Sequence, residues 1–67
     1  MYITALDCYD VGVEANGSKD YYHVILWMLE ALDRLRAEEK HTVSEASILD
    51  YLAFAAYNVM MVLITPT

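Results

Sequence analysis

Asp7, Asp10 and Glu14 stand three and four residues apart, a spacing that on a helix lines three carboxylates into one ridge. Paired carboxylates do general acid–base work in glycosidases and hold metals in hydrolases. That chemistry needs a cleft in which at least one carboxyl is desolvated. A helical chain of 67 residues seldom builds one. The ridge is therefore read first as solvated surface, and second as an acidic face that imitates phosphates towards a basic groove. Trp27 is the other standout. On a helical wheel it falls among His23, Glu30 and Arg34, opposite a stripe led by Ile25 and Leu32, with Leu26 and Tyr22 beside it. A tryptophan ringed by polar groups has the makeup of a binding anchor; alternatively the N-terminal segment folds over it and makes it core. Asp7, Asp10, Glu14, His23, Trp27, Glu30 and Arg34 are thus the candidate partner-binding residues, and no residue is a candidate for catalysis.

Other chemistry finds little support. His23 and His41 have no metal-ligand spacing, and Cys8 is the sole cysteine, so neither an internal disulfide nor a zinc pattern such as CxxC can form. Cys8, Asp7, Asp10 and His23 could meet around a zinc ion, but nothing in their spacing fixes them there. Gly12 and Gly17 are the only glycines, which rules out a glycine-rich phosphate loop. Ser18, Ser44 and Ser47 have capping or helix-surface explanations, with no histidine placed to activate them. No metal and no cofactor is expected.

The elements that position these residues divide at two points, the turn signal Asn16-Gly17-Ser18 and the polar run AEEKHT at residues 37–42. A helix is expected over about residues 20–40, capped by Ser18, with Tyr21, Ile25, Met28, Leu32 and Leu35 as its apolar stripe, widened by Val24 and Leu29. A second is expected over about 43–63, opened by a Thr42–Glu45 capping box and closed by Pro66. Its main stripe is Ile48, Leu52, Ala55, Val59 and Leu63. Its reverse face, Phe54, Tyr57, Met61 and Ile64, is also apolar and is the candidate oligomer interface. The four methionines, Met28 and the Met60–Met61 pair among them, suit adaptable packing. Residues 1–15 read as a short helix capped by Thr4, with Asp7 at its third position, ending near Gly12; a strand would need a pairing partner. The expected fold is all-α: one domain over residues 1–67, a small bundle of two long antiparallel helices plus a short N-terminal element, completed by dimerisation.

Charge is unevenly placed. Every Asp, Glu, Lys and Arg lies between Asp7 and Asp50, and the tail YLAFAAYNVMMVLITPT carries none. The net charge is −6 and the hydrophobic fraction 58%, above the roughly 45–50% usual for soluble domains. Such a chain repels nucleic acid directly and attracts basic surfaces; the acidity also keeps an apolar chain soluble. The N-terminus has acids where a signal peptide needs basic and apolar residues, which points to the cytoplasm. Residues 48–64 are short for a membrane span and contain Asp50 and Asn58.

Size, acidity and the lack of catalytic motifs resemble small phage-encoded inhibitors of bacterial defence, such as anti-CRISPR proteins. This is a resemblance of character along the whole chain rather than of motif. It implies an acidic protein-interaction module that inhibits a nucleic-acid-handling protein by binding its basic surface. The alternatives are a homo-oligomeric helical subunit without inhibitory role, and a small membrane-associated protein.

Overall fold

The computed structural model describes residues 3–40 and 42–64; His41 and Pro66 lie outside them. Three helices follow in order, α1 (Ala5–Gly17), α2 (Tyr21–Ala37) and α3 (Glu45–Ile64), with no strand among the described residues. The expected all-helical bundle forms.

The N-terminal segment is a full helix of 13 residues. Thr4 Oγ1 accepts from the Asp7 N–H at 3.2 Å, and Asp7 Oδ2 accepts from the Thr4 N–H at 3.1 Å. Two otherwise orphaned amides are satisfied reciprocally, which fixes the helix start. The helix does not stop near Gly12, because Gly12 is buried against α2. It ends instead in a Schellman turn, with the Asp20 N–H on the Ala15 carbonyl and the Lys19 N–H on the Asn16 carbonyl, both at 3.0 Å. The residue that takes the left-handed conformation there is Lys19, at φ 59°, and not Gly17. A glycine at that position avoids the Cβ clash, whereas Gly17 sits in helical backbone with open space where a Cβ would go. Lys19→Gly and Gly17→Ala should therefore each raise stability by about 0.5–1 kcal/mol, seen as a later urea midpoint. An earlier midpoint for Lys19→Gly would contradict this turn.

The N-cap of α2 is Asp20 rather than Ser18, since its Oδ1 accepts from the His23 N–H at 3.4 Å. The Schellman turn uses up Ser18 and moves the next helix two residues on. The Thr42–Glu45 box is likewise out of register. Glu45 is the first residue of α3, and the Ile48 N–H bonds to the Ser44 carbonyl at 3.2 Å, which puts Ser44 in the cap position.

Helix α2 lies between the other two and packs against both. Its buried set is Val24, Met28, Ala31 and Leu35, the midline between two contact faces. Ile25 and Leu32 are only half-buried and Leu29 is exposed. The expected stripe was thus rotated, because it assumed a single covering neighbour. Facing α2, helix α1 presents the small residues Ala5, Cys8 and Gly12, all buried. A Cβ on Gly12 would stand 2.7 Å from Met28 Cε and 3.4 Å from Trp27 Cβ, so the crossing is set by the missing side chain. The far ends are clamped. Arg34 Nη1 donates to the Ile3 carbonyl at 2.8 Å, and Glu38 Oε2 accepts from the Ala5 N–H at 2.7 Å, a carboxylate at the positive end of α1.

Helix α3 buries Ile48 and Ala55 and half-buries Leu52 and Val59. Phe54 already faces Tyr21, the first residue of α2. Beyond that level α3 has no more α2 to pack on, so Tyr57, Met60, Met61, Val62, Leu63 and Ile64 are exposed, Leu63 at 82% despite its place in the expected core stripe. Asn58 Nδ2 donates to the Phe54 carbonyl at 2.8 Å, which accounts for the one amide in this stretch. By length and composition (mean hydropathy 1.7) α3 is apolar enough to cross a membrane, but its first half is engaged with α1 and α2.

Candidate functional site

Four of the partner-binding candidates do come together. His23, Trp27, Glu30 and Arg34 line one open groove of about 500 Å³ with Ile3, Cys8 and Leu26. Trp27 is half-buried, because α1 crosses beside its Cβ at Gly12, and it lines the groove. The polar groups here are already matched to one another. Arg34 Nε donates to Glu30 Oε2 at 2.8 Å, Arg34 Nη1 is on the Ile3 carbonyl, and His23 Nδ1 meets Asp20 Oδ2 at 2.6 Å. Burial pushes the Cys8 thiol above its ordinary range, with Arg34 opposing only in part. The thiol therefore stays protonated at neutral pH and is a poor nucleophile. Asp10 and Glu14 are exposed on α1 outside this groove, and Asp7 is held in the helix cap.

A second groove, of about 270 Å³, shares no lining residue with the first. Asn16 of α1 and Asp50, Tyr51 and Phe54 of α3 line it. Its walls are aromatic. Tyr9 of α1 meets Tyr51 edge to face, ring centroids 5.6 Å apart at 85°, and Tyr21 of α2 meets Phe54 at 5.9 Å and 73°. Each ring is thereby held by another helix in a preferred geometry. The polar groups of this groove are unmatched. Asn16 Oδ1 is shut off from water without a hydrogen-bond partner, and Asp50 forms no hydrogen bond or ion pair among the described residues. Asp50 is exposed, so its carboxylate is open to a ligand in the groove.

The sequence reading has Asn16 in a turn, Asp50 as a charge within an otherwise apolar stretch, and Phe54 at an oligomer interface, and it misses this groove. Two signals were available. Asp50 and Phe54 are one helical turn apart with Tyr51 beside them, and tyrosines recur at 9 and 21 on the preceding helices.

Comparison with known proteins decides the family. A family model described as the prolyl 4-hydroxylase peptide-substrate-binding domain matches residues 5–63. The chain belongs to that family. It is 46% identical over 56 residues to prolyl 4-hydroxylase subunit alpha-1 of Mus musculus, which covers 84% of this chain and 10% of the relative. Subunit alpha-2 of Gallus gallus is 44% identical over 55 residues, covering 82% and 10%. Subunit alpha-1 of Caenorhabditis elegans is 44% identical over 54 residues, covering 81% and 10%. The chain thus spans about a tenth of the length of these relatives.

Membership of the prolyl 4-hydroxylase family overturns the reading of the chain as a phage-type, anti-CRISPR-like inhibitor. That reading rested on size, acidity and absent catalytic motifs, and those traits describe any small acidic binding unit without naming its partner. The family's architecture is of the tetratricopeptide kind, a helix pair, α1 with α2, followed by a third helix stacked on it. Stacked arrays of this sort carry extended concave binding surfaces. The Asn16–Phe54 groove lies between the first helix of the pair and the helix stacked upon it. Phe54, Tyr57, Met61 and Ile64 of α3 are all exposed. Their exposure alone does not single out a second copy of the chain.

Proposed function

We propose that this chain binds extended, proline-rich peptides in the groove lined by Asn16, Asp50, Tyr51 and Phe54. The observation that carries the reading is the pairing of braced aromatic rings with unmatched polar groups at one place. A polyproline II segment has no internal hydrogen bonds and arrives already extended, so it loses little entropy on binding. Its rings pack on aromatic faces, and its free backbone and side-chain groups need partners, which is how aromatic grooves recognise such peptides. The family's description as peptide-substrate-binding, and relatives named prolyl 4-hydroxylase subunits, support the same ligand class. In that setting the groove would hold a peptide substrate for prolyl hydroxylation. The Trp27 groove is the weaker candidate, because its charges already satisfy each other.

The test is calorimetric titration with a short oligoproline and with a glycine–serine peptide of equal length. Trp27 is the only tryptophan and lies in the other groove, so its emission reports where a ligand sits. Binding of the oligoproline alone, with Trp27 emission unmoved, is the expected result. A shift in Trp27 emission would move the site to the first groove. No heat up to about 1 mM peptide, the weak end of specific recognition, would end the proposal.

A further inference from the structure

Resting on the peptide-binding reading, we propose that the same groove selects peptides bearing lysine or arginine next to their prolines. The helices that line it carry charge of one sign only. Helix α1 holds Asp7, Asp10 and Glu14, α3 holds Glu45 and Asp50, and neither contains a Lys or Arg. Of the four bases, Lys19 stands in the turn beside Asn16 and offsets part of this charge, while Arg34 and Arg36 lie in the last part of α2 and Lys40 just after it. Arg34 is further occupied by Glu30. Helices with acids and no bases leave a net negative potential along the groove they line, and this favours a cationic ligand both on approach and when bound.

The local groups agree with the field. The Asp50 carboxylate, exposed on the groove and without an intramolecular partner among the described residues, is a hydrogen-bond acceptor, and the Asn16 side-chain oxygen beneath it is one too. Lys and Arg are donors without acceptor capacity, the complement of such a pair. The half-exposed ring of Phe54 and that of Tyr51 add faces on which a cation is attracted by the ring quadrupole. A glutamate at the same place in the peptide would meet Asp50, with Lys19 beside Asn16 the one base near that end of the groove. Oligoproline alone would use the rings and leave the acid unpaired.

Three peptides of one length and one proline pattern test this, with Lys, Gln or Glu at the variable position, titrated into the 67-residue chain. The expected order of affinity is Lys, then Gln, then Glu, with about three- to tenfold between the extremes at low salt, the effect of one or two exposed ion pairs gained or opposed. At about 0.5 M salt the spread should collapse, since exposed charges are then screened within a few ångströms. Asp50→Asn, at an exposed position, should shrink the Lys-to-Glu ratio, with far-UV circular dichroism confirming the fold. Equal affinities for all three peptides, or a preference for Glu, would overturn charge selection while leaving the groove a peptide site. If none of the three binds, the peptide-binding reading fails and takes this inference with it.

Discussion

Met28→Ala should cost the chain most of its stability. Met28 is fully buried at the centre of α2 and reaches α1 where Gly12 has no side chain. Cutting a buried methionine to alanine loses about 2–5 kcal/mol through lost transfer energy and the cavity left behind. A domain of this length is stabilised by only roughly 3–5 kcal/mol in all. The variant is therefore expected to show a broadened urea transition, or none, at a temperature where the parent is folded. Gly12 tests the same contact from the other side. Gly12→Ala gains up to about 1 kcal/mol of helix propensity, but its Cβ displaces the flexible end of Met28, so the net change should be small. Gly12→Val adds two further carbons towards Trp27 Cβ, which is fixed to the backbone, and should cost about 1–3 kcal/mol by overpacking. In the double variant Gly12→Ala with Met28→Ala the new methyl enters the vacated space, so the two changes should be non-additive in the favourable direction. Strict additivity, or a stabilising Gly12→Val, would mean that α1 and α2 do not approach here as closely as described.

Much of the architecture was legible because its signals are local. Thr4 and Asp7 announced the start of α1, and the recurrence of Tyr21, Ile25, Met28, Leu32 and Leu35 announced α2, although of these only Met28 and Leu35 are fully buried. What escaped depended on contacts that spacing does not encode. Gly12 reads as a helix breaker, yet its missing side chain is what lets α2 come close. Asn16-Gly17-Ser18 reads as a turn, but α1 runs through Gly17 and the left-handed residue is Lys19. Ala31 was overlooked because it is small, although a helix covered on both flanks buries its midline whatever the residue size. The candidate site was half legible. The His23–Trp27–Glu30–Arg34 patch was found because its members share one helix face. The aromatic groove joins Asn16 of α1 to Asp50, Tyr51 and Phe54 of α3, with Tyr9 and Tyr21 bracing its rings, and no periodicity within one helix links residues on different helices. The value of −6 suggested a basic partner, which the family match leaves open; what the match overturns is the partner's identity as the target of a phage-type inhibitor.

Phe54→Ala should weaken proline-rich peptide binding by a factor of about thirty, the equivalent of roughly 2 kcal/mol at a hot-spot aromatic. The argument turns on how Phe54 divides its surface. One edge meets Tyr21, while 51% of the residue remains open to the groove and solvent. Removing it costs the fold about 0.5–1.5 kcal/mol for the lost ring pair beyond the burial of its covered half, so far-UV circular dichroism on the variant accompanies the titration. Tyr51→Ala should be as damaging to binding but harder to interpret, because Tyr51 is half-buried and also braces Tyr9. Tyr57→Ala is the control: the same helix, an aromatic 62% exposed, but absent from the groove lining. Its affinity should match the parent within about twofold, inside the range expected of residues away from a binding hot spot. Were Tyr57→Ala to lose binding while Phe54→Ala kept it, the ligand would have to lie on the overhanging face of α3. Were both to bind as the parent does, the rings of α3 would not be the recognition surface, and the matched charges around Trp27 would have to open to receive the peptide.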